Sequence, residues 1–204
     1  MFIQVIEGRT NDPEALHRQV ERWEREVKPG AIGYLGSTGG CTSSGDCILI
    51  ARFTDREAAQ RNSERPEQTA WWTETEKLFD GAPRFHETTD VDVMAHGQLD
   101  DAHFVQVMDG HVADRARADA LERESDTALA QARPDLLGAV TAYFEGDEFL
   151  EVAYFTTEEA ARAAESREMP AEMAPQFAEW QQVMKVEHYR DLDHPWLMRG
   201  AAAT

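Results

Sequence analysis

The chain has 204 residues, of which 42% are hydrophobic, enough for two modest domains with apolar cores, and this composition excludes global disorder. With 39 acidic residues against 20 basic, the net charge is −19. Such a surface repels phosphate backbones and anionic lipid, so neither nucleic acid nor a membrane is expected as a partner. No apolar stretch reaches the length of a membrane span, and no basic segment followed by an apolar run opens the chain, so a cytoplasmic location is expected.

Residues 2–8 (Phe2-Ile3-Gln4-Val5-Ile6-Glu7-Gly8) form a β-rich run closed by glycine. Asp12 then offers an N-cap, Pro13 suits the first helical position, and Leu16, Val20, Trp23 and Val27 follow at helical spacing until Lys28-Pro29-Gly30 stops the helix. Ala31 to Thr38 and Cys47 to Phe53 read as a hairpin around a serine-glycine turn. Cys41 and Cys47 face each other across it; their spacing matches no zinc pattern, no metal is expected, and in a reducing cytosol two thiols are expected rather than a disulfide. Thr54-Asp55-Arg56-Glu57 is a capping box that starts a second helix. This helix kinks near Pro66, resumes through Trp71, Trp72 and Phe79, and ends at Asp80-Gly81. A last strand spans about Phe85 to Met94, and residues 96–103 read as a linker.

From Phe104 the chain repeats itself at an offset of 102 residues. Phe104-Val105-Gln106-Val107-Met108-Asp109-Gly110 returns the first strand, Phe155-Thr156-Thr157-Glu158-Glu159-Ala160-Ala161 returns the helix start, and Leu137-Gly138 answers Leu35-Gly36. The second copy kinks at Pro170, its last strand spans about Val186 to Leu192, and a tail follows. The expected organisation is repeat 1 over 1–95, a linker over 96–103, repeat 2 over 104–196 and a tail over 197–204.

Strand, helix, strand, strand, helix, strand is the ferredoxin-like plan, which puts both helices on one face of an antiparallel sheet. The first strands are apolar on both sides, so the helix-free faces also need cover. The fold class expected is therefore α+β: two ferredoxin-like repeats packed sheet to sheet as an intrachain barrel, with a cavity inside.

These features resemble the dimeric α+β barrel superfamily, and within it the antibiotic-biosynthesis-monooxygenase-like group in its tandem, two-domain form. The resemblance rests on the element order, on Phe53-Thr54-Asp55-Arg56-Glu57-Ala58-Ala59, on Arg61-Asn62-Ser63-Glu64-Arg65-Pro66-Glu67-Gln68 with Trp71-Trp72, and on Phe85-His86-Glu87. It implies a cofactor-independent monooxygenase acting on a small aromatic or polyketide-type substrate held in the cavity. Heme-degrading relatives carry an Asn at the place of Gln4 and an iron-ligating His on the second helix. No such His follows here, so no cofactor is expected and heme is disfavoured. The Asn and Trp that polyketide-modifying members place on the third strand are also absent, with Leu49 and Phe53 standing there. A non-catalytic ligand-binding or stress-related protein is the alternative, and a heme-handling protein the third reading. A homodimer formed by domain exchange is compatible with the family.

Gln4 and Gln106 sit mid-strand in matched positions, where each amide either bonds a neighbouring side chain or binds a polar ligand group. His86 is a candidate base on the fourth strand, with His188 displaced by one or two positions in the second copy. Glu151 replaces Leu49 of the first copy; facing a cavity, its pKa would rise as suits a general base, and near an edge it would be solvated. Asn62, Arg65, Trp71 and Trp72 form a candidate substrate-binding mouth in the first copy, and a single asymmetric site is expected mainly there. Trp23 and Trp180 read as helix packing residues.

Overall fold

The computed structural model describes residues 1–171 and 173–200, and the chain divides into two units, Met1–Val91 with the segment from His194, and Asp92–Asp193. In the first unit the order is β1 (Phe2–Arg9), α1 (Pro13–Glu26), β2 (Tyr34–Cys41), β3 (Asp46–Phe53), α2 (Arg56–Ser63), α3 (Pro66–Thr75) and β4 (Arg84–Thr88), and β10 (Trp196–Arg199) completes it. The second unit holds β5 (Val91–Ala95), β6 (Phe104–Val112), α4 (Arg115–Ala132), β7 (Leu136–Tyr143), β8 (Glu148–Phe155), α5 (Glu158–Glu165), α6 (Ala174–Val183) and β9 (Met184–Leu192). Each unit contains one five-stranded sheet, ordered β10-β2-β3-β1-β4 in the first and β5-β7-β8-β6-β9 in the second. The β1–β3, β1–β4, β2–β3, β2–β10, β6–β8, β6–β9 and β7–β8 pairings are antiparallel. The α+β, ferredoxin-like duplication is thus present.

Local chemistry sets the element starts. Asp12 accepts from the Ala15 N–H at 2.8 Å, with Pro13 at the first helical position. The caps of α2 and α5 fall one residue later than the capping boxes indicate. Asp55 accepts from the Ala58 N–H at 2.7 Å, and Thr157 from the Ala160 N–H at 3.1 Å. Both chain breaks around the predicted kinks are present, but their lengths differ. Residues 64–65 join α2 to α3, whereas residues 166–173 join α5 to α6.

Several expectations are corrected. The strand read as Phe85 to Met94 is two strands: Thr88 Oγ1 accepts from the Asp90 N–H at 3.0 Å, and beyond that turn β5 joins the second sheet beside β7. The boundaries thus fall after 91 and 193 rather than after 95 and 196. Within the expected linker, the His96 and Gly97 N–H groups both donate to the Leu137 carbonyl at 2.9 Å. In the expected tail, β10 pairs with β2, Met198 opposite Ser37; residues 201–204 lie outside the described residues. Cys41 and Cys47 do stand opposite each other in the β2–β3 ladder, but they are joined as a disulfide, with their Cα atoms 4.0 Å apart. Tyr143 and Phe149 take the equivalent places in the second unit.

Phe2, Gln4 and Ile6 face the helices, and Ile3 and Val5 face the other way; both apolar sets are buried. Gln4 and Gln106 therefore lie on the helix-covered faces, not on the helix-free faces from which a barrel interior would be built.

Candidate active site between sheet and helices of the second unit

The space between sheet and helices differs sharply in the two units. In the first it is a cavity of about 70 Å³, below the roughly 150 Å³ that admits a benzene. In the second it is about 1080 Å³, at the upper end of the range for small-molecule sites. The substitutions responsible can be read at the 102-residue offset. Val20 and Trp23 of α1 fill the first unit, and Glu122 and Ser125 stand in their places on α4. Leu49 of β3 becomes Glu151 of β8, and Gly39 of β2 becomes Thr141 of β7. On the outer strand, Met198 and Met94 pack against the matched glycines Gly36 and Gly138, which places Trp196 and Asp92 in equivalent positions. Val20, Trp23, Leu49 and Trp196 of the first unit thus give way to Glu122, Ser125, Glu151 and Asp92, of which the two tryptophan replacements open space, while Thr141 adds a hydroxyl where the first unit has glycine. The longer α5–α6 connection adds Met169, Pro170 and Met173 to the lining.

Three carboxylates meet at this cavity. Glu151 lies opposite Met108 and Thr141 in the ladders and accepts from Thr141 Oγ1 at 3.2 Å. It keeps some exposure, yet the protein encloses it enough for desolvation to push its pKa up. Glu122 faces it from α4. Burial, then the charge of Glu151, then that of Asp92, raise the Glu122 pKa from 4.5 to about 7. Asp92 is held by Arg115 at 2.5 Å, and the Arg115 guanidinium stacks 3.5 Å from the centre of the Tyr143 ring. Burial also drives the Tyr143 phenol upward, and its hydroxyl is not among the lining groups. No ion pair or hydrogen bond from a cationic side chain to Glu122 or Glu151 is found among the described residues. Around the acids the walls are apolar and rich in methionine, including Met94, Met108, Leu121, Leu129 and Phe155.

The two glutamines have the same surroundings. Gln4 Nε2 donates to Glu87 Oε1 at 2.9 Å, while Arg56 binds the other oxygen at 3.0 Å and lies over the Phe2 ring. Gln106 Nε2 donates to Asp191 Oδ1 at 2.9 Å, while Arg162 binds the other oxygen and lies over the Phe104 ring. Each amide therefore bonds a neighbouring side chain, and each also lines the cavity of its own unit.

Glu151 and Gln106 come together in the second-unit cavity. His86 does not join Gln4: it stands opposite Val5, on the face away from the helices, 3.5 Å from Glu7. His188 is likewise on the helix-free side, 2.8 Å from Asp109. The first-unit residues expected as a mouth are tied into packing. Arg65 donates to the Val27 carbonyl at 2.9 Å and to Asn62 Oδ1 at 3.1 Å, and Asn62 and Trp23 both donate to Gln68 Oε1. Trp71 donates to the Gln19 carbonyl at 2.7 Å, and Trp72 packs on Phe79 and Phe85. These bonds use up the polar groups that a ligand would need. The asymmetry expected between the copies is present, but the large cavity is in the second. Nothing local sets Glu122 and Ser125 apart in the sequence, because α4, rich in Arg, Glu and Asp, has the composition of a solvated helix. Among the described residues no histidine lines the cavity.

No family model matches the chain, and no curated protein matches it. Among solved structures, it is similar over 97% of its length to 92% of a "putative monooxygenase" from Lactobacillus acidophilus NCFM, at 15% identity and a TM-score of 0.65. A second "putative monooxygenase", from Fusobacterium nucleatum subsp. nucleatum ATCC 25586, shares 97% of this chain and 91% of its own at 8% identity and a TM-score of 0.68. An "anthrone oxidase-like protein" matches 100% of this chain and 96% of its own at 13% identity and a TM-score of 0.64. At these identities the likeness concerns the fold. No helix among the described residues is long and apolar enough to cross a membrane. The chain has the tandem, monooxygenase-like α+β fold of these proteins.

Proposed function

We propose that the second unit is a cofactor-independent monooxygenase site for a hydroxylated aromatic or polyketide-type substrate. The observation that carries this reading is the Glu122–Glu151 pair: two facing carboxyls whose pKa values burial raises even though the charges of Arg115 and Arg123 act against it at Glu122, neither of them held by a hydrogen bond or ion pair from a cationic side chain among the described residues, on a largely apolar cavity of about 1080 Å³. A carboxylate whose pKa sits near neutrality is suited to removing a proton from a phenol or from the carbon beside an enolisable ketone. The neighbouring carboxyl, in its neutral form, hands a proton back.

For an anthrone-like methylene the atoms balance as follows. Glu122 takes one C–H proton, and the resulting carbanion, delocalised as a phenolate, gives its electrons to O₂ and forms a C–O bond. The peroxide is protonated, the second C–H proton leaves, and the O–O bond breaks. One oxygen remains as the carbonyl and the other departs as water. The substrate carbon is oxidised and O₂ is the sole oxidant. The apolar walls support this by excluding water from the anion. The "anthrone oxidase-like" neighbour agrees with the substrate class through fold alone.

The test is oxygen uptake with 1,8-dihydroxyanthrone. Wild type should consume one O₂ per quinone formed, and Glu122→Gln should lower the rate about 10²-fold or more. Uptake equal to buffer, or unchanged in both Glu122→Gln and Glu151→Gln, refutes the proposal. Thermal stabilisation by the compound without turnover would favour a binding protein.

A further inference from the structure

The polar groups on the sheet-and-α4 wall of the cavity have a common orientation. Gln106 Nε2 is committed to Asp191, an acceptor-only partner locked by Arg162. That contact fixes the amide's flip state and leaves Oε1 as the atom with no assigned partner. The Thr141 hydroxyl donates to Glu151 at 3.2 Å. The Ser125 hydroxyl donates to the Leu121 carbonyl at 2.6 Å. Asp92 and the two glutamates are acceptors when ionised. Arg133, at the end of α4, is committed to Asp135 and lies over the Phe155 ring. The opposite side, on α5, the α5–α6 connection, α6 and the start of β9, is mixed, with the donors Arg167 and Lys185, the amides Gln176 and Gln181, and the acceptors Glu165 and Glu168.

We infer that this wall selects ligands by their O–H donors: the substrate is a planar compound whose hydroxyls point to Gln106 at one place and to the glutamate pair at another. Gln106 lies opposite Ala153, two residues along β8 from Glu151, a diagonal of roughly 7–8 Å between backbones. Gln106 reads one hydroxyl directly. Asp191 and Arg162 are positioning residues that set which end of the amide is offered. An ether oxygen in place of a hydroxyl meets acceptors on this wall and loses both contacts.

This inference rests on the site proposed above but needs no turnover. The probes are 2,6-dihydroxyanthraquinone and 2,6-dimethoxyanthraquinone, both already oxidised, titrated against the full chain at pH 8 by fluorescence quenching. The dihydroxy compound should bind at least about tenfold tighter, the factor expected for bonds to charged acceptors. Asp191→Asn frees the Gln106 amide to turn, and the preference should fall about threefold or more. If that variant fails to fold, Gln106→Leu, which leaves the Arg162–Asp191 pair in place, should give the same reduction. Equal affinity for the two probes, no binding of either, or a preference untouched by a folded variant overturns the inference. Selective binding without oxygen uptake from the anthrone refutes the monooxygenase reading alone; uptake with no hydroxyl preference refutes this one alone.

Discussion

Replacing Glu122 by Gln should stabilise the protein, and only above the pH at which this carboxyl ionises in the unfolded chain. The Glu122 pKa rises from 4.5 to about 7 on folding. A carboxyl raised in the native state holds a proton that the unfolded chain releases. Its cost is therefore absent below the unfolded value, grows through the window between 4.5 and about 7, and is fully present above it. At 1.36 kcal/mol per unit, the full cost is about 3 kcal/mol. Gln keeps the side-chain shape and carries no charge, so the difference between variant and wild type isolates this one group from the other carboxylates. The measurement is urea unfolding followed by circular dichroism at pH 4 and pH 8. The two proteins should unfold together at pH 4. At pH 8 the variant's midpoint should be higher by roughly 1–3 M, given the usual urea slopes. A variant that gains nothing between the two pH values would show that Glu122 is solvated in the native state, and the desolvated base would go with it. The same substitution is expected to lower turnover about 10²-fold or more, so stability and activity should move in opposite directions.

Other substitutions separate packing from ligand contact. Ser125→Trp restores the residue found at Trp23 and should occupy part of the second cavity beside Glu122, weakening 2,6-dihydroxyanthraquinone binding by about tenfold or more without lowering the unfolding midpoint. Arg65→Ala should cost about 1–3 kcal/mol, since the Val27 carbonyl and Asn62 lose their donor. It should leave anthrone oxidation unchanged, whereas a substrate-binding role would lower it. Cys41→Ala with Cys47→Ala removes a cross-link spanning six residues, worth about 2 kcal/mol by loop entropy. A reductant should shift the wild-type midpoint by a similar amount and leave the double variant where it is.

The fold was legible because the residues that set it are local and occur twice. Asp12-Pro13, the paired helix starts and the glycine-bounded hairpins are read within a few positions each. The destination of an outer strand is not local. Val91–Ala95 and Trp196–Arg199 look like the end of one repeat and a tail, and only the ladder shows that each completes a sheet. Cavity volume is equally non-local. Trp71 and Trp72 beside polar residues look like an aromatic floor, but in three dimensions their neighbours satisfy one another and leave about 70 Å³.

The signal that does mark the site lies in the duplication. A repeat compared with itself shows where two copies of one plan have different tasks. Most matched core positions stay apolar: Phe2 and Phe104, Val5 and Val107, Phe53 and Phe155, Ala59 and Ala161. Several exceptions fall together. Val20 to Glu122, Trp23 to Ser125 and Leu49 to Glu151 each exchange a packing group for an oxygen, and all three open on one cavity. If the changes were drift on a solvated face, replacing Glu122 and Glu151 with Val and Leu would alter neither ligand affinity nor the pH dependence of stability. The clustering argues instead that the second copy gave up apolar packing for chemistry while the first kept the packing. The Glu122→Val, Glu151→Leu double variant should then be more stable at pH 8 than wild type and bind no dihydroxyanthraquinone.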